Sequence, residues 1–395
     1  KGHLNSYNYM KNNIHIYPSD FSANSSRLIK ETNSILEYSL VDRIIFIVKK
    51  QEGINLYKND NSKLIIKRIS SGFLSKNKII YFEAIRFLLF YLKIFIYLFR
   101  KDCSYINAHS IHVLPISVFI KIIKRKSILI YDPHELETEV AGAIGIKRKV
   151  AKIVEKFFIK WADKVIVVSP SIKTWYINEY KCLNSRNIYV IRNVPKKQNE
   201  ESQYCNLFRK EYLIPEDEII FLYQGNISRV RGCNKIVDIF KNLEGKHIVF
   251  MGNGDEYVQE VINLSKKHVN IHYKKAVDFN TELPKYTSSA DIGLHFIEVN
   301  NVLNHKYCLP NKLFEYILSG IPVIVNSNAV EMNRIVEMYK IGFGIDTDNI
   351  DIPKVKAIIK NITLEDIKNY KKGISRAQEE LYWENDAQQY IDIFS

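Results

Sequence analysis

Leu309-Pro310-Asn311-Lys312-Leu313-Phe314-Glu315-Tyr316-Ile317-Leu318-Ser319-Gly320-Ile321-Pro322-Val323-Ile324-Val325 reads as a short capped helix running at once into a buried strand. Asn311 is the expected N-cap, Gly320 the residue that closes the helix, and Pro322 opens the apolar run. Lys312 falls in the first helical turn, where unpaired amides and the macrodipole already supply positive potential and favour an acid. A cation belongs there when an anion such as a phosphate joins it. Glu315 follows along the same rim, where its carboxylate can accept hydrogen bonds from a sugar hydroxyl. Phosphate plus ribose is the outline of a nucleotide.

Outward from this stretch, short apolar runs alternate with helical patterns along the whole chain. Strands are expected at 14–17, 43–48, 64–69, 105–108, 127–131, 164–169 and 188–191, with helices at 25–38, 78–99, 113–124, 147–161 and 171–179. After a polar stretch over 200–211 the alternation restarts, with strands at 219–224, 247–251, 270–273, 291–296 and 322–326. Strand–helix alternation with Val/Ile-rich strands means βαβ units and parallel sheets covered on both faces. Trp161-Ala162-Asp163 before one buried strand and Ser289-Ala290-Asp291 before another suggest one architecture used twice. The expected fold is α/β: two Rossmann-like, doubly wound domains facing across a cleft, with ligands at the carboxyl ends of the strands. The expected division is an N-terminal domain over 1–199, a linker over 200–215, a C-terminal domain over 216–375, and a terminal helix over 376–395 returning to the first domain.

A chain of 395 residues is comfortable for two such domains, and 46% hydrophobic with 25% charged residues is ordinary for a globular protein. Cys103, Cys182, Cys205, Cys233 and Cys308 are scattered without a CxxC pair, which argues against a zinc site or a disulfide framework. The net charge of +14 is carried by the first half, the second being slightly acidic. The first half therefore faces something anionic, and no zinc-finger, helix-turn-helix or RNA-binding signature points to nucleic acid. A membrane face or a phosphorylated lipid is the expected partner. No secretory signal is read at the N-terminus. The most apolar window, Tyr81–Arg100, is interrupted by Glu83, Arg86, Lys93 and Arg100, against a bilayer-spanning helix. It suits either a helix packed on a sheet, the reading the pattern favours, or an interfacial helix.

Four further loops follow strands of the second half or end strands of the first. Tyr223–Gly232 (YQGNISRVRG) sets Arg229 and Arg231 just before a helix, with Gly225 and Gly232 allowing close backbone approach. It is neither a Walker loop nor GxGxxG, but a second cationic strand-to-helix loop in one domain points to a diphosphate. Met251–Asp255 (MGNGD) carries Gly252 and Gly254, which either admit a ligand to the backbone or make a plain strand-to-helix turn, the latter reading being favoured. In the first half, Asn107–His112 and Tyr131–Glu137 bring His109, His134 and Glu135 to adjacent strand ends, where they suit proton transfer or a grip on sugar hydroxyls. Asp132 before Pro133 suits a turn, and Glu137 and Glu139 read as surface charge.

Pro310–Val325, Gln224–Gly232 and Phe250–Asp255 together resemble the donor domain of GT-B glycosyltransferases, most like glycosyltransferase family 4. Ile106–Pro115, Tyr131–Glu139, Ala162–Lys173 and Val190–Pro195 are similar to segments of the same family in the same order. The resemblance implies transfer of a sugar from a nucleotide-sugar to a hydroxyl of a glycan or lipid-linked acceptor, with a retaining outcome, no metal and no cofactor. It places the donor on Gly225, Asn226, Arg229, Arg231, Gly252, Gly254, Asn311, Lys312, Leu313 and Glu315, with Glu315 on the ribose and Arg231 on the diphosphate. It places His109 near the donor sugar, Glu135 and His134 on the acceptor side, and Asp132 or Glu135 as general base if the enzyme inverts. In two places the chain departs from the family pattern: Tyr307 stands where an acid is usual, and Asn226 where an arginine is usual. A GT-B epimerase or phosphorylase, or an inactive nucleotide- or glycan-binding protein, are the alternatives. Synthesis of bacterial surface polysaccharide, in the cytoplasm or at the inner face of its membrane, is the expected setting.

Overall fold

The computed structural model describes residues 10–22, 25–51, 53, 56–70, 80–197, 205–279, 281–300 and 302–395. Two compact units emerge, Lys1–Ile191 with Ala387–Ser395, and Arg192–Asp386.

The first unit is built on β1 (Asn12–Tyr17), β2 (Arg43–Lys49), β3 (Leu64–Ile69), β4 (Tyr105–Ala108), β5 (Ile128–Tyr131), β6 (Lys164–Val167) and β7 (Ile188–Val190). They form one sheet in the order β3-β2-β1-β4-β5-β6-β7, and every pairing is parallel. The second unit holds β8 (Ile219–Gln224), β9 (Lys246–Met251), β10 (Ile271–Lys274), β11 (Ile292–His295), β12 (Val323–Asn326) and β13 (Gly342–Ile345). Its sheet runs β10-β9-β8-β11-β12-β13, again all parallel. Strand order reverses beside β1 in one sheet and beside β8 in the other, which leaves a crevice at the carboxyl ends of β1/β4 and of β8/β11.

The continuous apolar strands read from the sequence are buried on both faces: Ile14, Ile16, Ile44, Phe46 and Ile106 in the first unit, Phe221, Ile248, Phe250 and Leu294 in the second. Each such side chain contributes about 1.5–3 kcal/mol when withdrawn from water. Every expected strand is present. The unexpected strand is β13, whose sequence Gly-Phe-Gly-Ile lacks a Val/Ile run. It lies at the sheet edge, and at Gly342 a Cβ would meet the Val323 carbonyl oxygen at 1.8 Å. Close backbone approach, not propensity, decides that strand.

Two boundaries differ from expectation. Residues 207–212, within the expected linker, form the helix Leu207–Tyr212. It belongs to the second unit because Phe208 is fully buried and Arg209 Nη2 donates to Asp291 Oδ2 at 2.9 Å. The expected linker's residues 200–204, and residues 78 and 79 of the expected helix 78–99, lie outside the described residues. The stretch expected as one terminal helix is three, Leu364–Glu380, Trp383–Ala387 and Gln389–Phe394. The last packs within the first unit: Tyr105 donates its hydroxyl to the Phe394 carbonyl, and Gln389 Nε2 donates to that of Val190.

Candidate functional site

In the second unit the helix Asn311–Leu318 ends in a Schellman arrangement. Ile321 N donates to Tyr316 O, Gly320 N to Ile317 O, and Gly320 takes φ +76°. Its other end differs from expectation. Pro310 is the N-cap and Asn311 is the first helical residue, its side chain accepting from Asn193 Nδ2 at 2.8 Å. Leu313 is fully buried, and its side chain packs in the core.

Glu315 and Lys312 meet the end of β8. Gln224 Nε2 donates to Glu315 Oε2 at 2.5 Å, and the far side of that amide accepts from Thr287 Oγ1 at 2.9 Å. Tyr316, one residue on, donates to the Leu222 carbonyl and accepts from Gln224 N. The ammonium of Lys312 lies over the Tyr223 ring at 4.2 Å from its centre, and a Cβ on Gly225 would sit 3.4 Å from its Nζ. Burial lowers the Lys312 pKa to about 8, and Arg231 adds to the lowering while Cys233 and Glu315 oppose it. Arg231 and Glu315 are thus both within electrostatic reach of one ammonium.

The loop after β8 reaches the same place. Gly232, at φ +77°, packs where a Cβ would lie 2.5 Å from the Phe296 carbonyl oxygen, and it opens the helix Cys233–Phe240. No L-residue with a side chain fits there, so glycine brings Arg231 and a helix N-terminus to the end of β11. His295, last residue of β11, is buried there with Nδ1 unpartnered. Burial, then Lys312 and Arg231, pushes its pKa well below the usual imidazole value. Sequence reasoning passed over His295. Its signal was a lone imidazole at the carboxyl end of an otherwise apolar strand.

Two expected donor contacts are placed elsewhere. Arg229 pairs with Glu260 and lies 4.6 Å over the Tyr257 ring, so its charge is answered within the loop–helix surface. Gly252 and Gly254 face backbone: a Cβ on the first would meet Gly225 O at 1.9 Å, and on the second Ile227 O at 1.9 Å. Gly225 N donates to Met251 O and Ile227 N to Asn253 O, extending the β8–β9 pairing past the strands. These glycines make room for the loop that carries Arg231. Asn226 is exposed, its carbonyl accepting from the Tyr223 hydroxyl at 2.7 Å.

In the first unit a chain of imidazoles runs along the carboxyl ends of β1, β4 and β5. Asn13 Nδ2 lies 2.7 Å from His15 Nε2, His15 Nδ1 2.8 Å from His109 Nε2, and His109 Nδ1 3.2 Å from His134 Nε2. An amide nitrogen only donates, so His15 Nε2 accepts. Burial first, and then His109, lower the His15 pKa well below normal against the opposing pull of Asp132, so its single proton sits on Nδ1 and is donated to His109. His109 Nε2 is then an acceptor and its proton sits on Nδ1, toward His134 Nε2 and toward Asp132 Oδ2 at 3.5 Å. Both nitrogens of His109 are committed and its side chain is fully buried. The group that reaches solvent is His134, 26% exposed, whose pKa burial pulls down to about 3.

Asp132 is no simple turn residue. It is fully buried, and Arg27 Nη2 donates to its Oδ1 at 2.9 Å. Burial favours its neutral form, but Arg27, His109 and His134 outweigh it and hold it ionised well below the usual range. A carboxylate so stabilised and so enclosed is a poor general base, which corrects that assignment. Glu135 is exposed, and the carboxylate that turns inward is Glu137, read from sequence as surface charge. Glu137 Oε2 accepts from Ser110 Oγ at 3.0 Å and Ile111 N at 2.6 Å, which holds Ser110 at φ +129° directly after His109. Glu139 is likewise buried, paired with Arg148 and Lys152. The partners sequence reasoning missed, Arg27 and Glu31, share one face of the helix Ser26–Glu37 at i, i+4.

Ligand atoms of His109, Asp132 and His134, and of His15, Glu31 and His109, lie within 4.8 Å of one another. The imidazole nitrogens between His15 and His109 are spent on each other, and Arg27 already neutralises Asp132.

Comparison with known proteins agrees with these two sheets. Residues 241–384 match the model of the Glucosyltransferase 3-like, C-terminal domain. An uncharacterized glycosyltransferase of Methanocaldococcus jannaschii is 25% identical over 180 residues, covering 41% of this chain and 42% of that protein, so the match spans less than half of the relative. Sucrose-phosphate synthase of Thermosynechococcus elongatus superimposes with TM-score 0.72 at 16% identity, over 97% of this chain and 98% of that one. HepE of Anabaena, solved with UDP and glucose, gives 0.67 at 13% identity over 98% and 99%. WaaG, a glycosyltransferase involved in lipopolysaccharide biosynthesis, gives 0.63 at 10% identity over 97% and 99%. The fold is that of GT-B glycosyltransferases. The residues that match the Glucosyltransferase 3-like, C-terminal domain lie within the second unit.

Proposed function

We propose that the chain transfers a sugar from a nucleoside-diphosphate sugar to a hydroxyl of a glycan or lipid-linked acceptor, in surface polysaccharide synthesis at a membrane. The observation that carries this reading is the meeting of Lys312 and Glu315 at the carboxyl end of β8, beside two helix N-termini and within electrostatic reach of Arg231. Charge grows on the departing diphosphate as the sugar bond breaks. Cations and amides already fixed at that place stabilise it without reorganising. Arg231 and Lys312 take the diphosphate and Glu315, aimed by Gln224, takes the ribose hydroxyls. No metal is needed, since the two side chains supply the positive charge. HepE's complex with UDP makes uridine diphosphate the first nucleotide to test. The first unit supplies the acceptor side, with His134 the imidazole that reaches out and His109 and Asp132 orienting it. We assign a retaining outcome, which the likeness to family 4 implies; of the two carboxylates an inverting route could use, Asp132 is buried and paired with Arg27, which leaves the exposed Glu135.

Titration calorimetry with UDP, GDP, ADP and CMP measures the donor class, followed by release of free nucleotide from the matching sugar nucleotide. Arg231→Ala and Glu315→Ala are expected to lower diphosphate affinity at least tenfold each and to abolish transfer, with unchanged circular dichroism. Full activity in both variants would sink the donor site. Tyr307, in place of the family's acid, favours a second reading as a nucleotide-binding protein without catalysis; nucleotide binding without any donor turnover would select it.

A further inference from the structure

We propose that the outer face of three helices of the first unit, Ile80–Leu98, Leu114–Ile123 and Gly145–Phe158, docks on an anionic phospholipid bilayer, with Gly145–Phe158 lying among the headgroups. The proposal rests on the reading above only for its purpose, bringing the chain to a membrane-borne acceptor. On Gly145–Phe158, residues Ile146, Val150, Ile153 and Phe157 fall on one stripe at helical spacing. Such a stripe ordinarily faces a core. Here these four are 80%, 52%, 67% and 57% exposed. Lys147, Lys149, Lys156 and Lys160 flank the stripe and are exposed. The helix has one acid, Glu155, and it is buried beneath the hydroxyls of Tyr131, Tyr176 and Tyr180. Its outer surface therefore presents hydrocarbon and ammonium with no carboxylate.

The neighbouring helices continue the same face. Leu114–Ile123 packs against both of the others, with the Phe95 and Phe119 rings 5.5 Å apart. Leu88, Leu92 and Ile96 on one, Phe119 and Ile122 on the next, are more than a third exposed. Among the described residues no helix is long and apolar enough to cross a membrane, so the face lies on a bilayer and does not enter as a span.

The chemistry selects lipid over protein. Interfaces between proteins are depleted in lysine at their centres, whereas a bilayer surface takes an apolar stripe into the acyl boundary while lysines extend to phosphates. A second copy of the same face would set lysine against lysine with no carboxylate on this helix to answer.

Flotation of the full chain with phosphatidylcholine vesicles, alone or with phosphatidylglycerol, tests this. Binding is expected to the anionic vesicles, weakening as salt rises from about 0.1 to about 0.5 M. Trp161, 41% exposed just past the helix, should shift its emission to the blue on binding. Ile146→Glu with Ile153→Glu should lose binding at least tenfold, and Lys147→Gln with Lys149→Gln should weaken it roughly fivefold per lysine. Both double variants should keep the wild-type melting temperature and nucleoside-diphosphate affinity, so failure here is separable from failure of the donor site. The proposal is overturned if the wild type ignores anionic vesicles, or if the glutamate variant binds unchanged. It is equally overturned if light scattering shows a dimer that the glutamate variant splits.

Discussion

Lys312 makes the proposed donor site pH-sensitive. With its pKa lowered to about 8, the ammonium is present at pH 7 and largely lost by pH 9. Diphosphate affinity should therefore fall as pH rises through that window, and Lys312→Met should flatten the dependence in calorimetry at pH 7 and 9. Glu31 makes a separate prediction about stability. Burial raises its pKa to about 7 from 4.5, with Asp132 adding to the rise and His109, Arg27 and Asn107 opposing it. Between those values the native state holds a proton the unfolded chain has released, so stability falls as pH rises, and the penalty is complete above about 7. Its ceiling is roughly 3 kcal/mol. Glu31→Gln removes the titration, so thermal melts at pH 5 and pH 8 should differ less in the variant than in the wild type. A variant that tracked the wild type at both would show that this carboxyl does not titrate there.

At the scale of elements, the loops after β8 and β9 depend on backbone contact. Gly254→Ala should cost at least about 2 kcal/mol, because its Cβ cannot share space with the Ile227 carbonyl without parting the β8–β9 extension. The loss should appear in the melting temperature, and nucleotide affinity should fall with it as Arg231 loses its support. Gly320→Ala should cost about 1 kcal/mol, the penalty for a side chain at φ +76°. Here the sequence was legible in part. The glycines announced turns, but whether a ligand or a neighbouring strand pressed on them depended on residues far away along the chain.

Across the whole molecule, two placements of positive charge stand out: Lys312 and Arg231 near a strand end of the second unit, and the exposed lysines around Gly145–Phe158 in the first. Because Lys312 and Arg231 neutralise the diphosphate in this reading, EDTA should leave the rate of transfer unchanged, and a loss restored by magnesium would overturn metal independence. Both parallel sheets could be read from sequence, since strands buried on both faces need uninterrupted Val, Ile, Leu and Phe. The cationic loop and helix proposed to hold the donor could be located too, because a lysine in a first helical turn is a local anomaly. Of the imidazole chain, His109 and His134 could be read at adjacent strand ends, but His15 and the partners beneath it could not. His15, Arg27 and Glu31 look ordinary in their own segments, and Asp132 looks like a turn. Their roles arise from burial and from distances between strands that are neighbours only once the sheet forms. Local pattern determined which segments fold and where cations stand at a strand-to-helix corner. Tertiary packing alone decided which polar groups lose water, and so which carboxylate stays charged, which imidazole reaches out, and which glycines serve backbone instead of ligand.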